Sequence, residues 1–461
     1  MKTTLLLCLL LTTIASAQGA FEGNSKNLST DYPTQYKSWY DALDAATAPT
    51  DISKPFNPAH TIIEGRYNNY RDSVEGKGAH PNSMLEVYGT IAGDTSYVQR
   101  CLPCHTSNSP ELFHKYGEDG LFQGKFDKLA ESINPIGCAN CHNTETMELR
   151  VSQPFAISAM KKIGKDPEKL SQHELRSYVC IQCHFEYDVV VKNGAETIQM
   201  DMAVNKSMDE LSDYYDNKAD VAFTHPISKA PLIRTMDYIQ ETRFILNGPH
   251  YKHGTACADC HMPQVTKKGE IYTTHDTVRG SKNIAASCLP CHEDSNVKEL
   301  QQEVDIRIAE YRGTNFTKLE NSLVQTHILV GEALKAGATE KDLKNIYYNI
   351  RGAQWRWGYL IGLKGSTFHN VFDSQKMLAT GLAKISDAEV ETILLLSKLG
   401  VKDIKVVENL TLQQAAQLLG LKYPPEKSKV DNTYLKAILK ATLDKGALNS
   451  DIYNYEAKKL F

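Results

Sequence analysis

Between Cys101 and His292 the chain repeats Cys-x-x-Cys-His five times, at Cys101/Cys104/His105, Cys138/Cys141/His142, Cys180/Cys183/His184, Cys257/Cys260/His261 and Cys288/Cys291/His292. Two thiols three residues apart can each form a thioether to one porphyrin, and the adjacent imidazole then points at the iron as its proximal ligand. The chemistry this spacing offers is electron transfer through five covalently attached c-type haems. A zinc site wants two such halves paired locally, and a disulfide framework has no use for the following His. Every Cys other than Cys8 lies in a motif, so no thiol is left for a bridge.

Each iron has a second axial position, and the remaining histidines are His60, His80, His114, His173, His225, His250, His253, His275, His327 and His369. By number they could close every iron. Whether one iron stays open decides between a wire and an enzyme, because a doubly ligated iron cannot bind substrate. His250 and His253 lie just before the fourth motif, His275 lies between the fourth and fifth, His80 precedes Pro81, and His369 follows a helix end.

The elements that must position these groups are mostly helical, with little strand. The first residues read as an export signal over 1–17: Lys2, an apolar run Leu5 to Leu11, then Ala15-Ser16-Ala17 before Gln18. Cys8 falls inside it, and the apolar run is broken too early to span a bilayer. The mature protein is therefore expected outside the cytoplasm, in the periplasm. Residues 18–100 are polar and rich in Asn, Asp, Tyr, Gly and Pro, and read as short helices joined by loops.

From 18 to 292 a haem-binding catalytic region is expected, its motifs too close for separate domains. The longest spacer, 185–256, carries Glu186, Tyr187, His225, Arg234 and Asp237, with strand signals at Asp188 to Val191 and a hairpin signal around Gly269. Residues 293–461 turn helical: Val297, Leu300, Val304, Ile308 and Tyr311 share one face, and Phe316, Leu319, Leu323, Val330 and Leu334 resume the stripe. Thr339 with Asp342 marks the start of a helix reaching Gly362, and further helices are expected over 372–399, 411–419 and 432–445. Such stripes serve either core packing or a dimer interface. A formal charge of -4, with both signs mixed along the chain, leaves no nucleic-acid footprint.

Several stretches together resemble the ammonia-forming cytochrome c nitrite reductases, the periplasmic pentahaem enzymes that reduce nitrite to ammonium. They are Gly117-Glu118-Asp119-Gly120, Gly137-Cys138-Ala139-Asn140-Cys141-His142-Asn143-Thr144, Gln182-Cys183-His184-Phe185-Glu186-Tyr187, Cys260-His261-Met262-Pro263 and Ala353-Gln354-Trp355-Arg356-Trp357. The resemblance implies that His80 closes the third-motif haem, His275 the second, His369 the fourth and His250 the fifth, leaving the first-motif haem open. It also implies a homodimer through the C-terminal helices, a quinol dehydrogenase or small cytochrome as electron donor, and a small anion such as nitrite as substrate.

The departures from the family fall in the pocket. His105 stands where the family usually has a lysine, and between His80 and Cys101 the only arginine is Arg100, too close to the motif to match the family's pocket arginine. The family's Gln-His pair aligns with Met236-Asp237, and its calcium-binding lysine with Arg234. Tyr187 and Glu186 are retained, so Tyr187, Asp237 and His225 are the catalytic candidates, and Glu186 with Tyr187 the calcium candidates. Two classes of function follow: a multi-electron reductase of nitrite, hydroxylamine or sulfite, or a pentahaem electron carrier in which His225, His114 or His60 supplies a tenth ligand.

Overall fold

The computed structural model describes residues 21–45, 56–67, 79–83, 101–124, 134–192, 194–200, 202, 208–235, 245–277, 280–293, 296–363, 365–404, 406, 407 and 409–425. The export signal, Arg100, Asp237 and the helix expected at 432–445 lie outside the described residues.

Helices α1 (Pro33–Asp41), α2 (Pro58–Glu64), α3 (Ser109–Phe122) and α4 (Pro154–Lys162) each carry proline in the first turn, where its missing N–H costs no helical hydrogen bond. Asn57 caps α2 by accepting from the amides of Ala59 and His60, and Gly65 ends it at φ 67°. Helix α5 (Gln172–Ile181) opens on a Ser171–Glu174 capping box and leads into the third motif.

A hairpin follows, β1 (Tyr187–Lys192) against β2 (Ala195–Met200), with Tyr187 opposite Met200. Helix α6 (Met208–Asn217) and the two-residue pair β3 (Phe223–Thr224) and β4 (Pro231–Leu232) complete the long spacer. Around Gly269 lies the expected second hairpin, β5 (Gln264–Lys267) and β6 (Glu270–Thr273), whose turn residues Lys268 and Gly269 both have positive φ.

The last third is helical as the stripes required. Helix α7 (Val297–Glu310) passes through a π turn at Tyr311–Phe316 into α8 (Thr317–Lys335), followed by α9 (Glu340–Gly362), α10 (Val371–Lys398) and α11 (Leu412–Leu419). Thr339 caps α9 reciprocally with Asp342. Strand β2 and the β3–β4 pair are additions that the apolar pattern did not signal.

Among the described residues two large apolar clusters stand out beside three small ones. One gathers Leu102, Leu112, Phe113, Leu121, Phe155, Met160, Ile181, Phe185, Ile198 and Met200, so α3, α4, α5 and β2 close around the chain that carries the first and third motifs. The other is built on α8, α9 and α10, but it also takes Ile62 and Ile63 from α2, Leu211 and Tyr215 from α6, and Leu232 from β4. The helical core therefore draws on chain from both sides of residue 292, and the first half is bound into it.

Candidate functional site

Local chain geometry sets the thiols first. Cys138–Cys141 forms a single helical turn, held because Asn140 accepts from the Gly137 amide at 2.9 Å and donates to the Thr106 carbonyl at 3.0 Å, next to the first motif. A Cβ at Gly137 would run into the Ser25 hydroxyl, which itself accepts from the Cys138 amide, so glycine is required there. The fourth motif, Cys257–His261, is a similar turn in which Asp259 caps the Ala256 amide at 2.7 Å and pairs with Arg176 of α5.

None of the ten motif thiols is in a disulfide, and thiols touch across motifs: Cys104 meets Cys183, and Cys180 meets Cys257. Cys141 lies beside Cys180 and Cys183, and Cys260 lies beside Cys288 and Cys291. The motifs thus run in space as first, third, fourth, fifth, with the second against the third. Burial pushes the Cys141 thiol up to about 12 and Cys260 up to about 11, the opposite of what a thiolate ligand of zinc requires.

The imidazoles then fall into pairs. Ring centres are 6.4 Å apart for His142 and His275, 6.1 Å for His261 and His369, and 6.5 Å for His250 and His292. A metal held between two imidazoles through bonds of about 2 Å separates the ring centres by roughly 6 Å, so these spacings fit an iron between each pair. Burial pushes His80 down to about 3, and the charges of His184, then His105 and His261, act in the same direction. His80 therefore lies among the proximal histidines of the third, first and fourth motifs. Among the described residues no imidazole stands at pair spacing from His105.

Backbone carbonyls fix which ring nitrogen each imidazole can offer to a metal. The Nδ1 of His142 meets the Met147 carbonyl at 2.7 Å, that of His275 the Thr273 carbonyl at 2.9 Å, and those of His105 and His261 the carbonyls of Ser83 and Thr277 at 3.3 Å. A carbonyl only accepts, so Nδ1 must carry the proton and Nε2 keeps the lone pair a metal needs. Glycines make the room: a Cβ at Gly365 would run into the His369 ring, and one at Gly248 into the His369 carbonyl. Beside His142, the Nε and Nη2 of Arg150 are buried without a protein acceptor, as expected of a guanidinium that meets a haem carboxylate.

The other histidines serve elsewhere. His225, expected at the site or as a tenth ligand, is fully buried in the helical part, where its Nε2–H donates to the Ile62 carbonyl at 2.7 Å and its Nδ1 accepts from the amides of Ile227 and Ser228. Its ring stacks on His327 at 3.7 Å, and His327 bonds to Ser228 and Gln354. With both nitrogens committed, His225 has none for iron or substrate. His60 is tied to Glu320 at 2.9 Å, and His114, His173 and His253 are exposed. Arg234 lies over the Phe223 ring and pairs with buried Glu64. Tyr187 packs against the apolar cluster to which Cys101 and Cys104 also belong, and Glu186 accepts the Tyr215 hydroxyl.

The family model for cytochrome c552 matches residues 82–448. The chain belongs to the cytochrome c552 family. A cytochrome c-552 from Aliarcobacter butzleri is 33% identical over 91% of this chain and 86% of that protein, and one from Parabacteroides distasonis is 29% identical over 94% and 90%. The cytochrome c nitrite reductase from Desulfovibrio desulfuricans, a catalytic subunit described with two calcium sites, superposes with a TM-score of 0.70 at 22% identity, covering 91% of this chain and 96% of that one. The chain therefore has the cytochrome c nitrite reductase fold, and haem c is its cofactor.

Sequence reasoning missed two features of the chain. One is Tyr215, which reaches Glu186 from α6, and the other is the stacked pair of His225 and His327. Neither had a motif to announce it. Both depend on contacts between chain segments far apart in sequence.

Proposed function

We propose that this family member carries five haems and reduces nitrite to ammonium at the haem on Cys101 and Cys104, outside the cytoplasm. The observation that carries the reading is an asymmetry of imidazoles. His142, His261 and His292 each have a second ring at 6.1 to 6.5 Å, and His105 has none at that spacing among the described residues; His80, which lies among His184, His105 and His261, is assigned to His184, whose charge acts on it most strongly. Four closed haems then feed one open one. The haem supplies electrons and a Lewis-acidic iron.

The chain's own part is to orient and to deliver protons. Reducing nitrite takes six electrons and several protons, so a donor beside the reacting nitrogen is needed. Tyr187, in the cluster with Cys101 and Cys104, is the group assigned that role. Asp237 is assigned to the pocket by resemblance, and its carboxyl must be protonated or turned away when an anion binds.

Calcium is assigned by resemblance to Glu186 and Tyr187. That ion takes about six to eight oxygens, of which carbonyls and water would supply most. One carboxylate oxygen of Glu186 accepts the Tyr215 hydroxyl, and the other is the one offered to the ion. No step is routed through a calcium ion.

The protein is read as a homodimer, consistent with the exposed Val390, Ile393 and Leu394 on one face of α10, and its donor as a quinol dehydrogenase or a small cytochrome. A second reading, an electron carrier without catalysis, draws on the commitment of Arg234 to Glu64 and of His225 to backbone, which leaves neither to attract an anion. Steady-state assays with reduced viologen and nitrite, hydroxylamine or sulfite separate the two. Ammonium from nitrite is the expected result, and no consumption of any of the three makes the protein a carrier.

A further inference from the structure

We propose that Met147 is a positioning residue that lowers the reduction potential of the haem attached to Cys138 and Cys141. The proposal rests on the haem reading above but not on the identity of the substrate. Met147 is one of four described non-glycine residues with positive φ, at 59°. A backbone held there is strained for a side chain with a Cβ, and such strain persists only where the surroundings impose it.

Here the surroundings are a tight loop closed on the second motif. The Met147 amide donates to the Asn143 carbonyl at 2.6 Å, the Asn143 amide to the Glu148 carbonyl at 2.9 Å, and the Arg150 amide to the Cys141 carbonyl at 2.8 Å. The product of this turn is one contact: the Met147 carbonyl lies 2.7 Å from Nδ1 of His142, against 3.3 Å for the corresponding contacts of His105 and His261. The facing imidazole is held the same way, His275 Nδ1 to the Thr273 carbonyl at 2.9 Å. Both axial rings of the second-motif iron thus give their Nδ1 protons to short carbonyl bonds.

A ring whose Nδ1–H is drawn toward an acceptor is more electron-rich at Nε2 and binds ferric iron better than ferrous. The second-motif haem is therefore harder to reduce than it would be with the loop relaxed. Arg150 acts in the opposite sense, since a nearby positive charge favours the reduced iron. Its buried Nε and Nη2 suit a haem carboxylate, which would cancel that charge, and the carbonyl bond then sets the sign.

The test is spectroelectrochemistry of the haem-loaded protein with three variants. Met147→Gly adopts φ 59° without strain and keeps the carbonyl in place, so its midpoint potentials are expected to match the wild type. Met147→Val resists positive φ and Met147→Pro forbids it, so one of the low-spin haems is expected to move to a higher potential, more in the proline variant. The near-infrared magnetic circular dichroism band of that haem should shift toward that of weaker imidazole donors. If the proline variant fails to take up its full haem complement, the valine variant at full haem content decides. Potentials unchanged in the valine variant, or equal shifts in the glycine variant, overturn the proposal. Mass spectrometry of the peptide spanning Cys138 and Cys141 is run alongside: absence of haem there sinks this proposal and the five-haem reading, whereas failure to reduce nitrite leaves the potentials to speak alone.

Discussion

His275 illustrates how one side chain can be read at the residue scale. Its Nδ1–H is committed to Thr273, its amide donates to Ser38 at 2.8 Å, and its ring faces His142. Replacing it by glycine should convert one low-spin ferric haem to high spin in the electron paramagnetic resonance spectrum while leaving the haem count unchanged. Retention of every low-spin signal would show that His275 is not a ligand. The proximal histidines were legible because covalent chemistry fixes their place beside two cysteines. The distal ones were legible only through the family resemblance, since by count any of ten histidines would serve, and the fold brings His275, His369 and His250 to the rings of His142, His261 and His292. His225 shows the cost of reasoning from a lone histidine: nothing in its neighbourhood announced His327.

That buried pair carries its own pH signature. Burial lowers His225 from 6.5 to about 4 and holds His327 well below 6.5. Between those values the unfolded chain binds protons that the folded chain refuses. Stability is therefore full above 6.5, falls as the pH drops through this window, and levels off below about 4. His225 alone contributes a loss of order 3 kcal/mol. Guanidinium unfolding followed by far-ultraviolet circular dichroism should give a clearly lower midpoint near pH 5 than near pH 7. Equal midpoints would contradict the assignment.

Among the elements, α6 joins the two halves. Asp216 accepts from Arg356 at 2.7 and 3.0 Å and from the Trp355 indole at 2.7 Å, with Lys384 3.4 Å away, while Tyr215 stacks on Trp355 at 4.9 Å. Burial alone would raise the Asp216 carboxyl, but the hydrogen bond and charge of Arg356 outweigh it and hold the group below its usual range. Arg356→Met removes that partner from a buried carboxylate and should cost roughly 3 to 5 kcal/mol, read as a lower unfolding midpoint at unchanged haem content. A loss below about 1 kcal/mol would place the pair with ordinary surface ion pairs. The long helices α8, α9 and α10 were visible in sequence because their apolar stripes repeat over many turns and Thr339 with Asp342 marks a start. Strand β2 was not, because Glu196, Thr197 and Gln199 dilute its apolar signal, nor was the β3–β4 pair, whose two-residue runs have no period to read.

On the scale of the whole molecule, the thiol contacts order the motifs as first, third, fourth and fifth, with the second beside the third. One end of that path is the first motif, proposed above to hold the open haem. The repeat count and the redox class were written in the cysteines, but this order was not, since Cys104 and Cys183 become neighbours only when α3, α4 and α5 close around them. The account stands or falls on the iron held by His105. The most direct measurement is electron paramagnetic resonance of the oxidised protein before and after adding nitrite. One high-spin ferric haem among low-spin ones, with its signal lost or shifted by nitrite, is the predicted result. Only low-spin haems, indifferent to nitrite, would contradict it.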